Sequence, residues 1–451
     1  MKSVILFFFC ILLCGGSQLH AQSPAGPVAL PGGRVLLQIH AQADSFVPPL
    51  TLEEAERKAL AANPEIAVSV RRVAVARAHV PAAGALEDPT AMYRAWGIPL
   101  QKPWNLNDAQ NMFSISQELP GPGKRGLRTN IAESDLSIAQ DDLAETRLQV
   151  RVAVRKAFDD LLRAQEELRI HDEHVGIAHQ AIEAARIKYA VGKVPQQDIL
   201  KAQVALTRLE EHMIRFDRDA EVAQARLNTL LGRSPGTPVR VAGSFPGAAP
   251  LPSAKKLEDI ALHTRPDLLA AEQAARRSHA ALALAHKAYV PDFTVSAGYM
   301  LMQPSADMRN SYMVEGSMSL PWLNRRKHNA DIAESTARAT EQDAELEALR
   351  NVVLGQIREA LAEAQASQKL VHMYHDELRP QAEATLQASV IAYENDRTSL
   401  LDLLDSQMTV IDVDLSWLQA SADLDARLSE IELATGAPLD LQSQPESEAK
   451  P

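Results

Sequence analysis

The chain has 451 residues, a formal charge of −12 and only 4% aromatic side chains. The length leaves room for two or more domains. The acidic balance excludes a general nucleic-acid binder, which needs a basic face. Scarce aromatics among abundant Ala, Leu, Gln, Glu and Arg describe long helices with narrow seams, not a thick globular core.

In chain order, the first element is a targeting segment. "MKSVILFFFCILLCGGSQLHAQS" has Lys2, an apolar run from Val4 to Leu13 and a small residue, Ala21, after which cleavage is expected. The run is too short to span a bilayer as a helix, and the layout is that of a secretory signal over residues 1–21. Bulky Leu13 argues against lipidation at Cys14. Both cysteines, Cys10 and Cys14, fall inside the signal, so the mature chain is expected to be exported without disulfides. Residues 22–49 read as a linker. No later stretch is long and apolar enough for a membrane helix.

The remainder reads as one unit written twice. "NPEI" from Asn63 answers "RPDL" from Arg265, an offset of 202. "LPGPGKRG" from Leu119 answers "LPWLNRRK" from Leu320, and "IAES" from Ile131 answers "IAES" from Ile332, both an offset of 201. "YAVGKVPQQDILKAQ" from Tyr189 answers "YENDRTSLLDLLDSQ" from Tyr393, an offset of 204. The order predicts repeat 1 over 50–231, a Gly/Pro-rich linker over 232–254, repeat 2 over 255–436 and a disordered tail over 437–451.

Each repeat is expected to open with a short helix, the first with Thr51 as its cap and Glu54 three residues on. Alternation of period two follows. Tyr312, Val314, Gly316, Met318 and Leu320 oppose Ser311, Met313, Glu315, Ser317 and Ser319; Phe113, Ile115 and Leu119 oppose Ser114, Ser116 and Glu118. These are strands with one greasy and one wet face, completing β-hairpins over about 90–119 and 293–320. Long helical hairpins are expected over about 128–231 and 328–435. In the first, Val150, Ala157, Ala164, His171, Ala178 and Ala185 form one seven-residue stripe. Val154, Leu161, Leu168, Val175, Ile182 and Tyr189 form the other. That is an antiparallel coiled coil whose arm of about 60 residues is about 90 Å long. It bends where Gly192 ends one helix, Pro195 forbids continuation and Asp198 can cap the next.

Four amphipathic strands per chain cannot close a barrel, so several chains are needed. Three would supply twelve strands and six helical hairpins; counting leaves two or four open.

Taken together, the duplicated "Y…D-x-L-x-x-Q" tips, "LPGPGKRG" before a long helix and the signal segment resemble the TolC, or outer-membrane factor, family over about Thr51–Leu439. "GPGKRG" resembles the CzcC- and CusC-like heavy-metal subgroup. The resemblance implies a mainly α protein with a small β part. Tandem coiled-coil hairpins and two β-hairpins per chain would trimerise into a twelve-stranded outer-membrane barrel on a periplasmic α-helical barrel. It implies an exit duct of a tripartite efflux pump in a Gram-negative bacterium. Its partners would be a periplasmic membrane-fusion adaptor, an inner-membrane pump of the RND type and outer-membrane lipid, with heavy-metal cations or drugs as cargo. A type I secretion duct and a soluble periplasmic coiled-coil scaffold are the alternatives.

Carried over by position, Asp402 and Asp405 match an acidic ring at the periplasmic entrance. Asp198 and Tyr393 match partners in bonds that hold the tips shut. Arg397 stands one place from the expected basic residue, and Asp396 replaces the usual glycine. Gly192, Lys193, Val194, Pro195, Asp396, Thr398 and Ser399 are the tip residues that would meet the adaptor. Read physically, repeated carboxylates around an axis favour cations between them, while Asp198 and Asp402 also suit helix capping.

Other motifs carry less. Met92, Met112, Met300, Met302, Met308, Met313 and Met318 crowd the strands. They could offer thioethers to Cu(I) or Ag(I), but read first as adaptable filler facing lipid. His171 sits on a coiled-coil stripe and His174 is expected to face solvent; the pair reads as structural. "GPGKRG" lacks the frame of a phosphate loop and marks the turn from strand to helix. No catalytic arrangement, cofactor cradle or resident metal site is expected.

Overall fold

A computed structural model describes residues 48–98, 100–101, 109–245, 249–301 and 310–439. The expected signal, nearly all of the N-terminal linker, the last residues of the tail, Met302 and Met308 lie outside them.

The first repeat opens with α1 (Leu52–Ala62), where Thr51 Oγ1 accepts from the Glu54 amide at 3.4 Å. Asn63 then ends α1 and starts α2 (Pro64–Gly84): its amide bonds Ala59 O, while its side chain accepts from Glu65 N at 2.8 Å. Pro64 at the first helical position costs no hydrogen bond. Strands β1 (Thr90–Trp96) and β2 (Gln110–Leu119) follow, then α3 (Lys124–Ala190) and its return α4 (Gln196–Leu230). The second repeat runs α5 (Ala254–Thr264), α6 (Pro266–His286), β3 (Phe293–Leu301), β4 (Ser311–Met318) and α7 (Arg325–His372). A π-helical turn (Met373–Leu378) leads into α8 (Arg379–Glu394), and α9 (Leu400–Thr435) returns.

The 21-residue helices α2 and α6 have no counterpart in the sequence reading. Both are rich in Ala, with Val added in α2 and Leu in α6, and they bury only three and four residues, so no strong stripe marks them. α2 lies along α3; α6 fills the groove between α3 and α7, with Arg277 reaching Asp135 at 2.5 Å and His279 reaching Asp343 at 3.1 Å.

α3 begins at Lys124, four residues before the expected Arg128, because Gly123 turns the chain at φ 87. The "GPGKRG" turn is tied to the other repeat: Lys124 Nζ bonds both Asp292 oxygens at 2.7 and 2.8 Å, and the Gly121 amide donates to the same carboxylate at 2.7 Å. The Ala stripe of α3 is buried at all six positions, His171 included; the larger stripe is buried at Val154, Leu161 and Ile182, partly covered at Leu168 and Val175, and exposed at Tyr189.

The four strands form one antiparallel sheet in the order β1-β2-β3-β4. Its central pair joins the two repeats, with Phe113 opposite Tyr299 and Ile115 opposite Ala297. Tyr93, Phe113, Ile115, Val295, Tyr299, Tyr312 and Val314 stand exposed on one face; Tyr312 and Val314 are 86% and 82% exposed. Ser114, Ser116, Glu118, Thr294, Ser296, Glu315 and Ser317 take the other, as period-two geometry requires. β1 and β4 each leave an edge unpaired among the described residues.

Two helical cores hold the hairpins at mid-length. One joins α1 to α3 and α4 through Ala55, Ala59, Val154, Phe158, Leu161 and Leu227. The other joins α5 to α7 and α9 through Leu257, Ala261, Val353, Ile357 and Ile431.

Candidate functional site: the paired hairpin tips

A third core lies at the end of the hairpins away from the sheet. Ile182, Ala185 and Ala202 of the first hairpin pack with Tyr393, Leu400 and Leu404 of the second, so the two bends of one chain form a single body.

The bends reach similar shapes by different chemistry. In the first, Gly192 sits at φ 74, and the Lys193 amide closes back on Lys188 O at 2.9 Å. In the second, Asp396 sits at φ 57, and the Arg397 amide closes on Ala392 O at 2.8 Å. Asp396 is the one described non-glycine residue at positive φ, a conformation Asp tolerates better than most.

What holds it there is a pair of lysines from the other bend. Lys188 Nζ donates to Asp396 Oδ1 and Lys193 Nζ to Oδ2, each at 2.7 Å. Lys188 also donates to Tyr393 O at 2.5 Å and lies 3.9 Å above the Tyr393 ring. Lys188, then Lys193, hold the Asp396 carboxyl down at about 2. The contribution of this clamp is therefore present above the ordinary carboxylate range and is lost only as pH falls through about 2. Lys188 was not among the residues expected at the site. Its signal was an Asp in a glycine position, which asks for a cationic neighbour.

Asp402 is a cap. Its Oδ2 accepts from Ser399 Oγ at 2.7 Å, Thr398 Oγ1 at 2.8 Å and the Ser399 amide at 3.1 Å, while Ser399 Oγ accepts from the Asp402 amide at 3.2 Å. The Ser399 and Thr398 hydroxyls lower its pKa. This reciprocal box starts α9. Asp405 stands exposed one turn on, with no ion pair to any described residue. The first bend differs in having Pro195 at the cap position of α4, so Asp198, a first-turn acid like Asp402, has no cap side chain to pair with.

Asp198 is half-buried and faces Tyr393, which is 6% exposed. Burial first, then the charges of Asp198 and Asp396, raises the tyrosine's pKa. No hydrogen bond joins the two: Tyr393 Oη finds no partner among the described residues. Arg397 is exposed and pairs with no described acid; Val194 and Thr398 are half-buried, and Pro195 and Ser399 exposed.

Higher on the hairpins, His171 is fully buried, its ring against His212 and Phe216 and its Nδ1 on Glu167 O at 3.1 Å. His174 is also buried, contrary to the expectation of a solvent-facing residue, because α9 covers that side and Gln407 Nε2 donates to His174 O at 3.2 Å. Burial lowers the pKa of both rings. Among the described residues no cluster of three His, Cys, Asp or Glu is arranged to hold a metal, and no helix is long and apolar enough to cross a membrane.

The family profile "Outer membrane efflux protein" matches residues 56–233 and 257–437, most of the chain and once per repeat. The chain belongs to the outer membrane efflux protein family. This efflux protein is similar to the cobalt-zinc-cadmium resistance protein CzcC of Cupriavidus metallidurans, at 25% identity over 82% of this chain and 86% of that one. It is also similar to the pyoverdine export outer membrane protein OpmQ of Pseudomonas aeruginosa, at 24% identity over 94% and 96%. Among solved structures, CusC superposes with a TM-score of 0.74 at 16% identity, covering 86% of this chain and 92% of that one. The outer-membrane channel OprN gives 0.73 at 20%, covering 86% and 90%. The efflux protein is thus an outer-membrane exit duct. Its four strands carry the greasy and the wet face that a membrane barrel needs, and its helical hairpins extend into the periplasm.

Proposed function

We propose that the protein assembles as a homotrimer and forms the exit duct of a tripartite pump for heavy-metal cations. A periplasmic adaptor would meet its hairpin tips, and an RND-type pump would supply the driving force. The observation that carries assembly is the four-stranded sheet with two open edges, since exposed edges in a membrane leave backbone groups unsatisfied. The helices support the same closure. Val75 is 71% exposed, whereas its equivalent Arg277, 202 places on, is engaged with α3. The free face of α2 is therefore the counterpart of the α6 face that already has a long helix beside it, and a neighbouring chain would supply the missing one. Metal cargo is favoured because CzcC and two further relatives, NccC and CnrC, carry metal resistance in their names.

At the entrance, Asp402 and Asp405 would form the cation-attracting ring, and the Lys188–Asp396–Lys193 clamp would hold the two tips of each chain together. In planar bilayers, multivalent cations should block the wild-type duct, and Asp402→Ala/Asp405→Ala should relieve that block. An unchanged block removes both residues from the entrance. Asp396→Asn keeps a residue that tolerates positive φ but weakens both lysine bonds. It should raise resting conductance, and equal conductance detaches the clamp from gating.

A further inference from the structure

The register places Met112, Met300 and Met313 on the wet face of the sheet. On the wet face, one cross-strand row reads Arg94, Met112, Met300, Ser311, and the next reads Met92, Ser114, Gly298, Met313. Met112 and Met300 are thus directly opposite each other, and Met313 is the diagonal neighbour of Met300. Side chains directly opposite start about 4.5–5.5 Å apart and diagonal ones about 7–8 Å, within reach of a long side chain. Three methionines therefore occupy neighbouring positions on one patch of wall whose companions are Ser114, Ser296, Ser311 and Glu315. A lipid-facing role accounts for Met318, on the greasy face, but not for these.

Two details sharpen the patch. Met112 is 4% exposed although it stands on the wet face. Gly298 leaves room for a crossing side chain: a Cβ there would lie 3.5 Å from Met313 Cε and 3.1 Å from Ser114 Cβ, so the end of Met313 lies over the strand toward β2. Met92 is set apart, because Arg94 Nη2 already contacts its sulfur at 3.4 Å. The patch lies at the end of the sheet away from the helices, within a few residues of the strand ends at Gln110, Leu301 and Ser311. In the duct that end is the exit.

We propose that Met112, Met300 and Met313 form a thioether site for a soft monovalent cation, Cu(I) or Ag(I), on the lumen wall near the exit. Neutral sulfurs select such ions over Zn(II), Co(II) or Mg(II), which prefer nitrogen or oxygen ligands. They bind without a compensating charge, so a passing ion is held and released without trapping the duct. This rests on the duct reading above and adds a class of ion that the names of the cobalt, zinc, cadmium and nickel relatives do not include.

The test uses the full-length protein purified in detergent, exposed to silver nitrate or zinc chloride and then desalted. Wild type should retain silver, with sulfur neighbours visible by X-ray absorption, and should not retain zinc through the same residues. Met112→Leu/Met300→Leu/Met313→Leu preserves side-chain volume, and it should lose that silver. Equal silver in both proteins, or zinc retained as well as silver and lost with the methionines, overturns the site. Bilayer conductance of the same two preparations separates the two readings: channels without methionine-dependent silver sink the site and leave the duct. Silver binding without channels does the reverse.

Discussion

Raising the pH should destabilise the wild-type protein progressively, and Asp159→Asn should weaken that dependence. Asp159 on α3 and Asp425 on α9 are 6% and 7% exposed and face each other across the two repeats. Burial first, then the charge and hydrogen bond of Asp425, pushes the Asp159 carboxyl up to about 9. The surrounding charges are Arg155 and Asp160 on α3, Glu432 on α9, Glu56 on α1 and Arg226 on α4. Arg155 bonds Glu432 at 3.0 Å, and Arg226 sits 3.8 Å from Asp160. An unfolded Asp ionises near about 4. From there up to about 9 the folded chain holds a proton that the unfolded chain has released, so stability falls with rising pH and levels off beyond. Asn at 159 cannot ionise and keeps a donor toward Asp425. Far-UV circular dichroism melts of both proteins from about pH 5 to about pH 9 read the difference; parallel curves would mean that the two carboxyls share no proton.

Gly436→Ala should be among the most damaging single methyl additions in the chain. Gly436 ends α9 at φ 74, and a Cβ there would lie 2.6 Å from Arg265 Cα and 2.8 Å from Thr264 O. Left-handed backbone costs a side chain roughly 1–2 kcal/mol, and forced overpacking adds about 1–3 kcal/mol. Its equivalent, Gly232, ends α4 at φ 66 with Ala62 O 2.8 Å from the same imagined atom. In each repeat, then, the return helix stops against the end of the opening short helix. Gly192→Ala is the control, since Gly192 has φ 74 but nothing within 4 Å. It should incur only the backbone cost, as Asp396 already does at the matching position. Yield in the outer membrane and melting temperature rank the two variants; Gly436→Ala behaving like Gly192→Ala would refute the close approach.

The long hairpins and the strands were legible because they repeat a simple physical demand: a stripe every seven residues, or every second residue, turned to one side. α2 and α6 were not, because a helix of small residues lying on a longer helix needs little apolar surface to bury. Gly192, Pro195 and the paired tyrosines located the bends. The sequence could not show that Pro195 takes the cap position from Asp198, or that Lys188 reaches across to Asp396, since both depend on how two bends half a chain apart are brought together. The acid pair was hidden for the same reason. Asp159 and Asp425 look like surface residues until α9 is laid along α3.

The unpaired edges of β1 and β4 have a genetic corollary. In the proposed trimer, a chain whose sheet is sound but whose tips are damaged still offers both edges to its neighbours, so it would enter mixed rings and spoil them. A chain that cannot form the sheet is left out and spoils nothing. Tip alleles should therefore behave as dominant, and sheet alleles as recessive.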